Sequence, residues 1–215
     1  MRRVCCVAAV VIGFVSLGPA QDQSDPGKNE IAGTFGHTFV SNQGVLNSGF
    51  SNSIITFGAG YTFEVNYARI LLDREWFDVA AEVPAILNPD EDLHYAANQV
   101  PQQYSSIFIT PAVRLRFISN LAFSPWFSFG GGFGHLGSSA NLVFGGNTTG
   151  NRSVTGGVLE GGVGLDVRIP CERFEHLKIR LEVRDDWSGV PALNVDTGKS
   201  RQHNYYIAVG VVYRF

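Results

Sequence analysis

Cysteine, positive charge and long apolar runs are all scarce in this chain, and each scarcity excludes something. Of three cysteines in 215 residues, Cys5 and Cys6 fall in an N-terminal stretch that carries Arg2 and Arg3, an apolar run from Val4 to Leu17, and the small-residue end Gly18-Pro19-Ala20. That order of basic, apolar and small residues is the pattern of a cleaved signal peptide, expected over residues 1–20. Cys171 then stands alone, so the exported chain cannot be held by an internal disulfide. Loss of Arg2 and Arg3 from 16 Lys+Arg leaves 14 against 19 Asp+Glu, a formal charge of −5. Phosphate binding rests on clustered Lys and Arg, so nucleic acid is not an expected partner. After residue 20 no apolar run approaches the ~20 residues of a membrane-spanning helix. Yet 45% of the chain is hydrophobic and only 16% charged, which is too apolar for a disordered chain and fits one folded domain.

What is present is alternation. Residues 21–29 are polar with Pro26-Gly27 and are expected to form a flexible leader. From Glu30 on, apolar side chains recur at every second position, the period of strands with two unlike faces. Eight such segments are expected: Glu30 to Val40, Ile54 to Ala68, Phe77 to Leu87, Ser106 to Ile118, Ala122 to His135, Val154 to Ile169, Leu177 to Trp187 and Asn204 to Phe215. At 11 to 16 residues they exceed the ~5 to 6 of soluble sheets and meet the ~9 to 11 that a tilted strand needs to cross a hydrocarbon layer. The connections hold 13, 8, 18, 3, 18, 7 and 16 residues, so each odd one is long and each even one short. Such asymmetry is that of an up-and-down outer-membrane barrel with tight periplasmic turns and long external loops, both termini being periplasmic. The fold class expected over 30–215 is therefore all-β, an eight-stranded antiparallel up-and-down transmembrane β-barrel following a cleaved signal peptide.

The two faces differ in chemistry. Ile107, Ile109, Val113, Leu115 and Phe117 share one parity, and Thr110, Ala112, Arg114 and Arg116 the other. Leu177, Ile179, Leu181 and Val183 likewise alternate with Lys178, Arg180, Glu182 and Arg184. An apolar row meeting lipid and a charged row meeting a closed interior accounts for both. Projected over all strands, the interior parity collects the acids Glu64, Asp78, Glu82, Glu160, Asp166 and Glu182 and the bases Arg114, Arg116, Arg168, Lys178, Arg180, Arg184 and Arg214. Six against seven is near balance, and side chains can fill an eight-stranded barrel, so an ion-pair plug is expected in place of a wide pore. Phe77, Phe117, Phe127, Tyr67, Tyr213 and Phe215 are expected near the periplasmic girdle, Trp187 near the opposite one; the competing reading makes them core aromatics of a soluble barrel.

The last eleven residues end in an aromatic preceded by hydrophobics at every second position, Ile207, Val209, Val211, Tyr213 and Phe215. In that ending and in strand pattern the chain resembles the small outer-membrane β-barrel superfamily, the class of the outer-membrane protein A transmembrane domain and the outer-membrane protein X type. The resemblance implies that this row is an assembly signal and that the barrel-assembly machinery is a transient partner. It also implies the bacterial outer membrane as location, with its lipid and lipopolysaccharide as surroundings; an external ligand is not identified. No peptidoglycan-binding segment follows Phe215, so a tethering role is not expected.

Other chemistry weighs less. Gly130-Gly131-Gly132-Phe133-Gly134 and Gly161-Gly162-Val163-Gly164 lack the following helix of a phosphate loop and read better as a bare inner wall that leaves room for long side chains. Lipid A deacylases, barrels of this size, need a His two residues before a Ser on a late strand; Arg184-Asp185-Asp186-Trp187-Ser188 has Asp186 there. His135 lies near Ser138 and Ser139 without an acid nearby in sequence, and His37, His94, His176 and His203 are isolated. Asp185-Asp186 and Asp90-Glu91-Asp92 lack calcium-loop spacing and read as solvated runs. Asn147-Thr148-Thr149 is a glycosylation sequon in form only, and Cys171 is expected as a free thiol in a periplasmic turn. The sequence thus favours a structural or surface-interaction barrel with no catalytic residue, cofactor or metal, against a lipid-modifying hydrolase and, second, a narrow channel.

Overall fold

The computed structural model describes residues 27–49, 53–117, 122–170 and 176–215. Residues 1–26, and with them the expected signal peptide and most of the leader, lie outside the described residues, as does Cys171. The described residues form eleven strands: β1 (Asn29–Val40), β2 (Gln43–Gly44), β3 (Ile54–Phe57), β4 (Gly60–Asp73), β5 (Phe77–His94), β6 (Gln103–Ile109), β7 (Ala112–Phe117), β8 (Phe123–Ser138), β9 (Ser153–Arg168), β10 (Leu177–Gly189) and β11 (Arg201–Arg214). Every pairing is antiparallel, and β1 pairs with both β4 and β11, so the sheet closes on itself. β6 and β7 form one stave between β5 and β8, which makes eight staves.

The registers fix the geometry of that ring. From Glu30 the paired residues run through Ala68, Glu82, Ala112, Gly130, Glu160, Asp186 and Asn204 and return to β1 at Val40, ten residues on. Ten residues at ~3.3 Å against eight strand spacings of ~4.8 Å set a strand tilt of about 40°. At that tilt the ten residue steps from Leu177 to Trp187 rise about 25 Å, the height of the apolar band of a membrane barrel. The outward row of β10 over that rise includes Ile179, Leu181 and Val183, all exposed, and that of β11 includes Tyr205, Ile207, Val209, Val211 and Tyr213. Large apolar side chains facing outward at this density would be ruinous in water and are favourable against lipid.

Several expected boundaries move. The segment expected from Ile54 to Ala68 is two strands: Gly58 and Ala59 interrupt it, and β3 leaves the ring to pair with β2 and the far end of β5. The fourth segment breaks at Thr110 and Pro111, because Pro111 has no N–H for the ladder; its inward parity survives the break, since Phe108, Thr110, Ala112, Arg114 and Arg116 are all buried. β5, β6, β8, β10 and β11 run past their expected ends at the rim opposite the termini, so the expected 88–105 loop shrinks to residues 95–102. The leader ends sooner than expected: Asn29 belongs to β1, opposite Arg69, and the Lys28 carbonyl accepts from Ile70 N at 2.7 Å. Phe127 pairs with Leu115 and Val163, and its ring stands 6.3 Å from that of Phe117, the last residue of β7.

The glycine rows of β8 and β9 have a steric cause. A Cβ on Gly164 would stand 2.4 Å from the Trp126 ring, and one on Gly162 would meet Ser128 Oγ at 2.5 Å and Arg184 Cγ at 3.3 Å. Bare wall at these two positions is what admits an indole and a guanidinium to the narrow lumen.

Candidate functional site

The lumen of the spanning region holds two linked ionic clusters. On the side of the termini, Arg116 from β7 bonds Asp78 of β5 through Nε (2.8 Å), Glu30 of β1 (2.7 Å) and Asp166 of β9 (3.2 Å). Arg180 of β10 clasps Asp166 with Nε at 2.8 Å and Nη2 at 2.9 Å, a bidentate pair in which both oxygens are used. Arg114 bonds Glu30 and, at 3.1 Å, Glu82, which joins the lower cluster to the upper. There Arg184 stands among four carboxylates: Glu160 at 2.8 Å, Glu82 at 3.1 Å, Glu64 at 3.2 Å and Glu182 at 3.3 Å. Trp126 lies at the junction, 5.9, 4.9 and 5.2 Å from the Arg114, Arg180 and Arg184 guanidinium carbons, and donates from Nε1 to Asp166. Glu182 also accepts from Thr34 at 2.7 Å, whose hydroxyl meets Tyr206.

The residues assigned inward by parity do not all arrive there. Glu64, Asp78, Glu82, Arg114, Arg116, Glu160, Asp166, Arg180, Glu182 and Arg184 are buried in the lumen. Arg168 is exposed, because it ends β9 beneath the clusters; Lys178 is half-buried at the same end of β10. Arg214 is a rim residue, bonded to Asp73 at 2.9 Å and to the Gly27 carbonyl at 2.6 Å. Three buried acids escaped the sequence reading: Glu30, Glu91 and Asp186. Glu30 and Asp186 could have been found by carrying the inward parity to the first residue of the expected Glu30 to Val40 segment and through the Asp185-Asp186 pair. The expected near balance is corrected to an acid excess: among the described residues, seven acids join four arginines in the ionic clusters.

Beyond the clusters, at the rim away from the termini, the fill turns apolar. Ile55 of β3, Tyr95 and Val100 of the 95–102 connection and Leu193 of the 190–200 connection pack on Ile86, Phe108, Leu136, Val158 and Tyr206 of the wall. Glu91 is buried in this cap, holding Asn88 Nδ2 at 2.6 Å and Tyr104 OH at 3.2 Å. The outward row of β5 is apolar only as far as Leu87 and continues with Asp90 and Asp92, so Glu91 stands above the membrane-spanning part. Burial pushes its carboxyl up to about 7, although both hydrogen bonds oppose the rise.

The other candidate chemistry separates by strand parity. Asp185 faces out and Asp186 in, and Glu91 faces in while Asp90 and Asp92 both accept from Gln103 Nε2, at 3.0 and 3.1 Å. Neither acidic run therefore converges on one cation. Ser188 is buried and donates to the Gly189 carbonyl, and His135 Nδ1 meets Thr155 Oγ1 at 2.7 Å on the outer face. His203 is not isolated as expected: its Nδ1 lies 2.7 Å from Asp185 Oδ2, on the outer face. Among the described residues no serine, threonine or cysteine is hydrogen-bonded to that His–Asp pair. In the terminal row, Phe215 stacks on Tyr213 at 5.9 Å and exchanges backbone hydrogen bonds of 2.9 and 3.0 Å with Asn29, closing the ring at its seam.

Solved structures share this architecture. Over 89% of this chain and 99% of that one, the crystal structure of Neisserial surface protein A superimposes with a TM-score of 0.54 at 12% identity. The outer membrane protein OprG from Pseudomonas aeruginosa gives a TM-score of 0.55 at 12% identity, over 88% of this chain and 96% of that one. No protein-family model and no curated protein sequence matches the chain.

Proposed function

With the fold of the small eight-stranded outer-membrane β-barrels as premise, we propose that this chain is an integral outer-membrane protein with a structural or surface-interaction role and a lumen closed by its own charges. The observation that carries the reading is the filling: Arg114, Arg116, Arg180 and Arg184, each at most 1% exposed, occupy the lumen together with seven carboxylates. A solute path would have to displace bonded guanidinium groups, and above them an apolar cap. The outer face supports the location, since its apolar rows need lipid. Connection lengths support periplasmic termini: residues 74–76, 118–122 and 169–176 join staves at the end of the termini, and the longer 41–59, 139–152 and 190–200 lie opposite. In this reading residues 1–20 are the export signal, residues 30–215 the barrel domain, and the row Ile207, Val209, Val211, Tyr213 and Phe215 is presented to the barrel-assembly machinery. Outer-membrane lipid and lipopolysaccharide surround the barrel, and recognition of anything external belongs to the loops opposite the termini.

Two measurements test this. Protein refolded into planar bilayers should show no steady single-channel conductance, and fractionated cells should hold it with the outer membrane, in a form whose gel mobility changes on heating. Steady conductance would favour the channel reading. Recovery from the soluble periplasmic fraction would overturn the membrane assignment.

A further inference from the structure

A relay of amides runs along the upper lumen, and its polarity is fixed at one end. Asn204 Nδ2 donates to the Asp186 carbonyl at 2.7 Å and to Ser188 Oγ at 2.9 Å, which leaves Asn204 Oδ1 to accept from Gln202 Nε2 at 2.8 Å. Gln202 Oε1 in turn accepts from Gln43 Nε2 at 2.8 Å. A backbone carbonyl can only accept, so reversing the row would set Asn204 Oδ1 against the Asp186 oxygen. Gln43 must therefore end the relay with its oxygen, which is buried and has no hydrogen-bond partner.

A second amide ends the same way. Glu91, alone of its acidic run, faces inward, and its Oε2 takes both Asn88 Nδ2 at 2.6 Å and Tyr104 OH at 3.2 Å. With the amide nitrogen held by a carboxylate, Asn88 turns Oδ1 away, and neither that atom nor Glu91 Oε1 has a partner. Asn88 lies over Gly60 of β4, where a Cβ would stand 2.6 Å from Oδ1, and Gly60 pairs with Thr38 near the end of β1. Gln43 approaches that end of β1 from the other side, since its partner Gln202 sits on β11, two residues before the Asn204 that pairs with Val40. Gln202 also meets the Tyr104 hydroxyl, which closes the circuit back to Glu91. Three oxygens, on side chains at most 1% exposed, thus gather beneath the apolar cap without a donor.

We propose that Gln43 Oε1, Asn88 Oδ1 and Glu91 Oε1 hold one alkali-metal cation of the sodium type under the cap. The inference goes beyond the closed-lumen reading and needs only the folded barrel. Hard cations take carboxylate and amide oxygens together, whereas one water has two protons to give three acceptors, one of them charged. Charge sets the valence. Among the described residues no group of three or more His, Cys, Asp or Glu side chains is placed to hold a metal ion, so a divalent ion would meet a single carboxylate, while one positive charge is balanced by it. The acid excess of the clusters below adds a field that favours a cation in this layer. Proton and cation are alternative occupants of Glu91 Oε1.

Because the cap covers the site, uptake is read through the folding equilibrium. The experiment is urea unfolding of the full barrel in lipid vesicles at pH 8, where the Glu91 carboxyl, pushed up to about 7, is ionised, in sodium chloride against choline chloride of equal ionic strength. A ligand that binds only the folded state raises the folding constant in proportion to its concentration once the site is filled, so each tenfold rise in sodium, with choline making up the remainder, should raise it about tenfold. Glu91→Gln and Gln43→Leu should each abolish that rise whatever they do to basal stability, and Asp92→Asn, which alters an exposed neighbour, should keep it. No difference between sodium and choline in the unaltered protein would overturn the site and leave its oxygens to water. A rise that survives Glu91→Gln would also overturn it, because sodium would then be acting elsewhere. A barrel that shows the sodium dependence and yet conducts steadily defeats the closed-lumen reading and leaves this inference standing.

Discussion

Arg184→Leu removes the one cation shared by Glu64, Glu82, Glu160 and Glu182, all within 2.8 to 3.3 Å of it. Breaking a buried pair by deleting one partner costs ~3 to 5 kcal/mol, because the other charge stays buried. The four contacts do not add to four such losses, since the stranded carboxylates can take up protons, so the expected destabilisation is about 4 kcal/mol at neutral pH. Arg184→Lys keeps the charge but cannot meet several carboxylates with a planar fork, and should fall between. The control is Arg168→Leu: its side chain is exposed, and its loss should cost below about 1 kcal/mol. Urea unfolding in lipid vesicles measures all three, with Trp126, 5.2 Å from the Arg184 guanidinium carbon, as a local fluorescent reporter. A loss within about 1 kcal/mol for Arg184→Leu, equal to that of the control, would refute the claim that the clusters hold the lumen together.

Glu91 supplies a pH dependence. Its folded carboxyl is pushed up to about 7 from an ordinary 4.5, so between those values the folded state binds more protons; the stabilisation is complete below 4.5 and is lost as pH rises through 7. Unfolding free energies from urea titrations at pH 5 and pH 8 should differ by up to about 3 kcal/mol more in the unaltered protein than in Glu91→Gln; equal differences would refute the assignment. Leu181→Arg puts a charge on the lipid face and should cost ~2 to 4 kcal/mol in the same assay, whereas folding as well as the unaltered chain would invert the parity. Deleting Phe215 should lower the amount in the outer membrane more than it lowers the stability of refolded barrel, and equal losses would leave it only a girdle and seam residue. Asp186→Asn should stabilise the refolded barrel by up to about 1 kcal/mol, and a loss of that size would refute the like-charge account of its position.

Most of the wall was legible because lipid imposes strict alternation. Where lipid no longer dictates the outer face, the signal fades while the strand continues. Past Leu87 the outward residues of β5 turn to Asp90 and Asp92, so the apolar row stops, yet Tyr104 and Gln103 still pair with Glu91 and Asp92. The split of the second segment was hidden for another reason. Phe57 and Tyr61 keep apolar character across Gly58, Ala59 and Gly60, and it is the pairing of Thr56 and Phe57 with His94 and Leu93 that shows β3 to belong to the cap.

The charges were harder to place than the strands, and the reason is height. Parity says which face a side chain takes and nothing about its depth, so Arg168 and Arg214 were counted with the lumen although both lie at its mouth. Their removal, with Glu30 and Asp186 added, turns a balanced plug into an acidic one, and this decides the sign of each perturbation. Arg114, Arg116 and Arg184 each serve two or more carboxylates, so losing one of them strands more charge than it removes. The acids are redundant by comparison, and Asp186 most of all: it stands directly across from Glu160, and its Oδ1 has no hydrogen-bond partner. Like charges facing each other across antiparallel strands repel, and the low dielectric of the lumen magnifies the repulsion. The surroundings also suit an amide, with Asn204 already bonded to the Asp186 backbone and to Ser188 Oγ. Opposite outcomes for Arg184→Leu and Asp186→Asn are therefore one consequence of four arginines set among a larger number of acids.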